Sequence, residues 1–112
     1  MINYHNKRFY PLSNSTNGEV DLDMVFVYQQ QGNVVSCQYA GKNIKFGQLM
    51  ALVLPDGSLD MRYQQINLQG EIRTGICHST PEVLADGRIR LYESWQWTSG
   101  DRSSGRSILE ER

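Results

Sequence analysis

Residues 50–79 read MALVLPDGSLDMRYQQINLQGEIRTGICHS, and the fold turns on how they pair. Asp56-Gly57 and Gln69-Gly70 divide the stretch into three segments in which apolar and polar residues alternate. Alternation at period two marks strands with one buried face. Asp-Gly suits a two-residue hairpin turn, whose central positions both need positive φ. In that register Leu54 faces Leu59, Leu52 faces Met61 and Met50 faces Tyr63. Through Gln69-Gly70, Met61 then meets His78, Tyr63 meets Ile76 and Gln65 meets Thr74.

The same punctuation continues on both sides, as QGN at 31–33, AGKN at 40–43 and ADGR at 85–88. Strands are expected over about 22–30, 33–40, 44–54, 59–67, 72–80 and 88–98, with a seventh near Gly105–Glu111 and an eighth from Lys7–Leu12. Ser79-Thr80-Pro81-Glu82 is also a helix-start pattern and could interrupt the fifth of these. Taken as two-residue turns, all five hairpins agree on one inward face. It holds Phe26, Tyr28, Cys37, Tyr39, Ile44, Phe46, Met50, Leu52, Leu59, Met61, Tyr63, Ile72, Ile76, Leu91, Trp95 and Trp97. Asp60, Arg62, Gln64, Arg73, Arg90 and Gln96 fall on the outer face. A slip of one residue at any turn would invert every strand after it. For the last strand either Ser107 and Leu109 or Ile108 could point inward.

The fold class is therefore all-β, an antiparallel up-and-down meander of seven to eight strands closing into a small lipocalin/avidin-like barrel. A half-open barrel or a flattened sandwich is the alternative. The 112 residues make one domain, with 1–21 as a leading segment. Eleven basic and twelve acidic side chains leave a net charge of -1, which offers no basic stripe for nucleic acid. No apolar run approaches the ~20 residues of a membrane helix, and MINYHNKRFY lacks the apolar stretch of a secretion signal. A cytoplasmic protein with two reduced thiols, Cys37 inward and Cys77 outward, is expected. Two histidines without HxH or HExxH give no metal site.

The functional clue is polar chemistry on the inward face. There the register gathers Tyr63, Gln65, Thr74, His78, Glu93, Trp95 and Trp97, with Gln48, Tyr28 and Tyr39 beyond them. A carboxylate, an imidazole, a phenol and two indoles on one concave wall suit a small polar or aromatic ligand. Plain structural hydrogen bonding, or solvation at a barrel mouth, is the competing account of Glu93 and His78. A Cys37–His78 catalytic pair is disfavoured, because the two lie about six residues apart along the strands, or ~20 Å. On the outer face Val25, Val27, Leu49, Ala51, Val53 and Ile66 form an apolar patch. Either the N-terminal segment covers it or it serves a homodimer.

MRYQQIN at 61–67, GEIRTGICHSTPE at 70–82 and GRIRLYESWQWTSGD at 87–101 resemble a small bacterial family of about this length, commonly labelled N-acetylglutamate synthase. The resemblance runs from NKRFYPLSNS to SILEE and is most specific at ESWQWTSGD, 93–101. It implies acetyl transfer from acetyl-CoA to glutamate. The residues hold no Gln/Arg-x-x-Gly-x-Gly/Ala turn to bind the pyrophosphate of that cofactor. Read from the residues, the chain is a cofactor-free, non-enzymatic barrel that binds a small molecule inside. Homodimeric interaction module and acetyltransferase are the alternatives. Interior binding calls for a cavity of ~300 Å³ or more, whereas a filled interior would count against binding and direct attention to the outer patch and the oligomeric state.

Overall fold

The computed structural model describes residues 2–112 as nine strands, without a helix among the described residues. They are β1 (Arg8–Asn14), β2 (Phe26–Val27), β3 (Gln29–Gln31), β4 (Val34–Tyr39), β5 (Ile44–Val53), β6 (Leu59–Asn67), β7 (Ile72–Val83), β8 (Ile89–Trp97) and β9 (Ser104–Glu111). All pairings are antiparallel, in the order β2-β1-β9-β8-β7-β6-β5-β4-β3. β2 and β3 are one run interrupted at Tyr28. The first half pairs with β1 through Phe9↔Phe26, the second with β4 through Gln29↔Ser36. One strand thus serves both edges and brings the meander round into a nearly closed barrel. At the seam Tyr28 N–H donates to Lys7 C=O (2.9 Å) and Asn6 N–H to Tyr28 C=O (2.8 Å).

The turns differ from the two-residue expectation. At Pro55-Asp56-Gly57, Gly57 N–H donates to Leu54 C=O and Leu54 N–H to Ser58 C=O, both at 2.8 Å. This is a type I turn followed by a residue in the left-handed region, here Gly57 at φ 87°. The turns at 68–70 and 85–87 repeat the pattern. Each three-residue loop moves the ladder by one: Val53, not Leu54, faces Leu59, Tyr63 faces Gly75, and Gly75 faces Trp97. In the first of these loops Pro55 carries the reason, since its fixed φ suits the first central position of a type I turn.

An irregularity between Ile44 and Phe46 adds another parity change. The successive changes cancel on β6 and β8 and invert β7 and most of β5. Phe46, Met50, Leu52, Ile72 and Ile76 therefore point outward and are exposed, as are Gln48 and His78. Inside stand Gly47, Leu49, Ala51, Gly75, Cys77 and Ser79 instead. The proposed outer patch loses Leu49 and Ala51, both buried, and Val53, which packs against the core. Cys77 faces in, not out. The remaining hairpin, Gln31↔Val34 around Gly32-Asn33, shifts by two residues and keeps its parity. β7 runs unbroken through Thr80-Pro81, so no helical turn forms there.

Small residues on β5, β7 and β9 have a steric cause. A narrow barrel lined by aromatic rings needs small partners across the ladder. Tyr39 lies over Gly47, Tyr63 over Gly75 and Trp95 over Gly105, each ring against its own register partner. At one end residues 2–6 plug the barrel. Tyr4 is fully buried, packs with Phe9 and Tyr28, and donates its hydroxyl to Gly57 C=O at 2.5 Å. At the other end segment 15–24 covers the mouth.

Candidate functional site

The chamber lies between the covering segment and the aromatic layer. Glu93 sits on β8 between Leu91 and Trp95, and its register partners are Ser79 and Ser107. Both partner side chains are small, so both reach it. Ser107 Oγ donates to Glu93 Oε1 (2.8 Å) and Ser79 Oγ to Oε2 (3.1 Å). Burial raises the Glu93 pKa above the ordinary carboxylate range, and the two hydroxyl bonds act against that rise. Glu93 is half-buried as a residue and lines the chamber.

Around it stand phenols. Tyr28 is fully buried and its hydroxyl has no hydrogen-bond partner. Its pKa is pushed far up, first by burial and then by the Glu93 charge. Tyr63 is raised by burial and by the neighbouring Cys77 and Glu93. It meets Trp97 edge-on at 5.6 Å, and Trp97 meets Trp95 likewise at 5.7 Å. Tyr39 donates its hydroxyl to Gln65 Oε1 at 2.9 Å.

The cover is tied down through Glu19. Its carboxylate accepts from Gln65 Nε2 (2.8 Å) and Asn67 Nδ2 (2.9 Å), and Arg73 Nη1 lies 3.5 Å away. The Arg73 guanidinium sits over the Trp97 ring, 3.9 Å from its centre. Trp97 Nε1 donates to Asn17 C=O (3.1 Å), and Asn14 Nδ2 to Val20 C=O (3.1 Å). These bonds leave a cavity of about 60 Å³ beneath the cover, lined by Tyr28, Tyr63, Glu93, Trp95, Trp97 and Ser107 among others. A water needs roughly 10–15 Å³ on this measure, so the cavity takes about four to six water-sized groups. It falls well short of the ~300 Å³ expected for interior binding, so the chamber admits only a very small ligand.

Of the residues expected to form the site, Tyr63, Gln65, Glu93, Trp95 and Trp97 line this chamber. Thr74 and His78 do not. His78 is exposed on the outer face between Asp60 and Ser94, and Thr74 bonds Thr98 there at 2.7 Å. The cause is the inversion of β7. Cys37 and His78 consequently lie on opposite faces of the sheet. Sequence reasoning missed Ser79, Arg73 and the inward side of Cys77 for the same reason. It missed Glu19 for another: the covering segment has no periodicity from which to read a direction, and Asn14, the last residue of β1, borders it.

A search of curated proteins returned no match, and neither did a search of solved structures. A protein-family model described as "Avidin-like protein" does match, over residues 2–112. The matched span holds both the meander and the segments that close its two ends. An antiparallel barrel with an aromatic-lined chamber under a covering loop agrees with that match, and the chain belongs to the avidin-like family.

Proposed function

We propose that the barrel binds a small molecule in the chamber under segment 15–24. One observation carries the reading: the chamber wall keeps buried polar groups with unused bonding capacity, the Tyr28 hydroxyl above all. Buried polar atoms in folded proteins are nearly always paired, so an unpaired one facing a cavity marks a place for a partner. Membership of the avidin-like family supports the same reading. Entry requires the cover to lift, and the ligand is small and compact. The test is a titration of a small-molecule panel, biotin included, following Trp95 and Trp97 emission and the melting temperature. A binder that loses its effect in Glu93→Ala supports the reading. Saturating panels that change neither signal would overturn it.

A second reading has an observation of its own. Phe46, Ile66 and Ile72 form one row across β5, β6 and β7 on the outside, with Phe46 44% and Ile72 68% exposed. Such a row favours self-association. Analytical ultracentrifugation of the protein and of Phe46→Lys/Ile72→Lys tests it, because a monomer in both excludes the dimer. Acetyl transfer to glutamate stays as the enzymatic alternative, although 60 Å³ gives acetyl-CoA no room in the chamber. An assay with acetyl-CoA and glutamate decides it. The free, buried thiols Cys37 and Cys77 support our placement of the protein in a reducing compartment such as the cytoplasm.

A further inference from the structure

We infer that the chamber takes a positively charged ligand, a small ammonium ion seated against the Glu93 carboxylate with the Tyr28 hydroxyl as a second acceptor. The inference rests on the interior-binding reading above and adds the class of ligand.

The first support is the kind of bonding capacity left over. Among the described residues, the buried side-chain atoms left without partners are Tyr28 Oη and Asn14 Oδ1, and both residues line the chamber. The Asn14 amide is oriented by its Nδ2 bond to Val20 C=O, which leaves its oxygen free to accept. Glu93 already receives both hydroxyls offered to it, from Ser79 and Ser107, and a carboxylate has about four lone-pair sites. The Tyr28 hydroxyl can donate as well as accept, but Asn14 Oδ1 and the open lone pairs of the Glu93 carboxylate can only accept, so free acceptor sites on the wall outnumber free donors. A ligand that completes it must bring several N–H or O–H groups, and an ammonium brings up to three.

The second support is charge. A carboxylate withdrawn from water is costly unless a cation accompanies it. Among the described residues, the ion pairs run from Lys7, Lys42, Arg62, Arg73, Arg88 and Arg90 to other carboxylates, and none includes Glu93. Arg73, which stacks on the chamber-lining Trp97, is already paired with Glu19. The third is the lining itself. Tyr63, Trp95 and Trp97 line the chamber, and aromatic rings hold a cation more strongly where the site is dry, as Trp97 already does for Arg73. A cavity of about 60 Å³ limits the ligand to a short chain.

The probes are isobutylammonium, isobutanol and isobutyrate, which share a carbon skeleton and differ in charge. Each is titrated against the whole protein, following tryptophan emission. Isobutylammonium is expected to bind at least about tenfold more tightly than the other two. Glu93→Gln, which keeps the side-chain shape, should remove that preference, and Tyr28→Phe should weaken ammonium binding with no loss of stability. Circular dichroism and melting confirm that both variants are folded. Alcohol or acid binding as tightly as the amine would overturn the charge assignment and leave interior binding standing. So would a preference that persists in folded Glu93→Gln. If none of the three binds while another panel compound does, the charge assignment alone falls. If nothing binds, both fall.

Discussion

Tyr63 on β6 lies against Gly75 on β7, its own register partner, so closely that a Cβ at position 75 would overlap the phenol ring. The ring cannot retreat freely, because Trp97 stands 5.6 Å from it on the other side. Gly75 lacks a positive φ, so the constraint there is space and not backbone conformation. Gly75→Ala is expected to cost about 1–3 kcal/mol, as overpacking does. Urea denaturation measures it. Tyr63→Ala in the same chain should recover part of the loss, and strictly additive effects would rule the overlap out.

Glu93 sets a pH dependence. Its pKa is raised in the folded state, so the folded chain holds this proton more strongly than the unfolded chain does. Below the ordinary carboxylate range both states are protonated and burial carries no charge penalty. As pH rises from that range through the raised value, the folded state loses stability, at a slope of at most ~1.4 kcal/mol per pH unit. Glu93→Gln should therefore gain stability relative to the parent as pH increases. Denaturation curves of both proteins across the acidic to neutral range measure the difference, and a constant difference would contradict it.

Glu19 holds the cover. Glu19→Ala removes the acceptor for Gln65 Nε2 and Asn67 Nδ2 and frees Arg73. The expected cost is about 1–3 kcal/mol for the donors left behind. Amide exchange should rise through 15–24 and stay unchanged in β6–β8. Exchange that rises evenly along the chain would mean that Glu19 supports the whole barrel and not its cover.

The thiols should be inert until the chain unfolds. Burial pushes Cys37 up to about 12 and Cys77 higher still, so neither forms a thiolate near neutral pH. A colorimetric thiol reagent is expected to detect neither in the native protein and both in concentrated guanidinium. Rapid native labelling of either would show the core open on that timescale.

The meander and nearly all its strands were legible in the sequence. β6 begins and ends at 59 and 67 as its alternation indicates, and β8 lies within a residue of expectation at each end. The inward sides of Met61, Glu93 and Trp95 were legible too. The side of β7 was not, and hydrophobicity was the misleading guide. Ile72, Ile76 and His78 look like core beside Gly75, Cys77 and Ser79, but Gly75 lies between Tyr63 and Trp97, Cys77 between Met61 and Trp95, and Ser79 between Leu59 and Glu93, and these large partners leave room only for the small set. Pro55 was the available signal for a three-residue loop. For the cover no such signal exists: the direction of Glu19 is fixed by Gln65 and Asn67, some 46 and 48 positions away in the chain.

The Gly-terminated loops also govern how this chain can vary. Losing one residue from the loop at 55–57 would turn every later strand inside out and leave the chamber without its carboxylate. Losing one there and one at 68–70 would invert β6 alone, and β7 onward would keep their faces. Length changes in neighbouring loops should thus travel together among natural variants, while the covering segment, which transmits no register to the strands after it except through its ends, can change in length and composition around its Glu19 anchor.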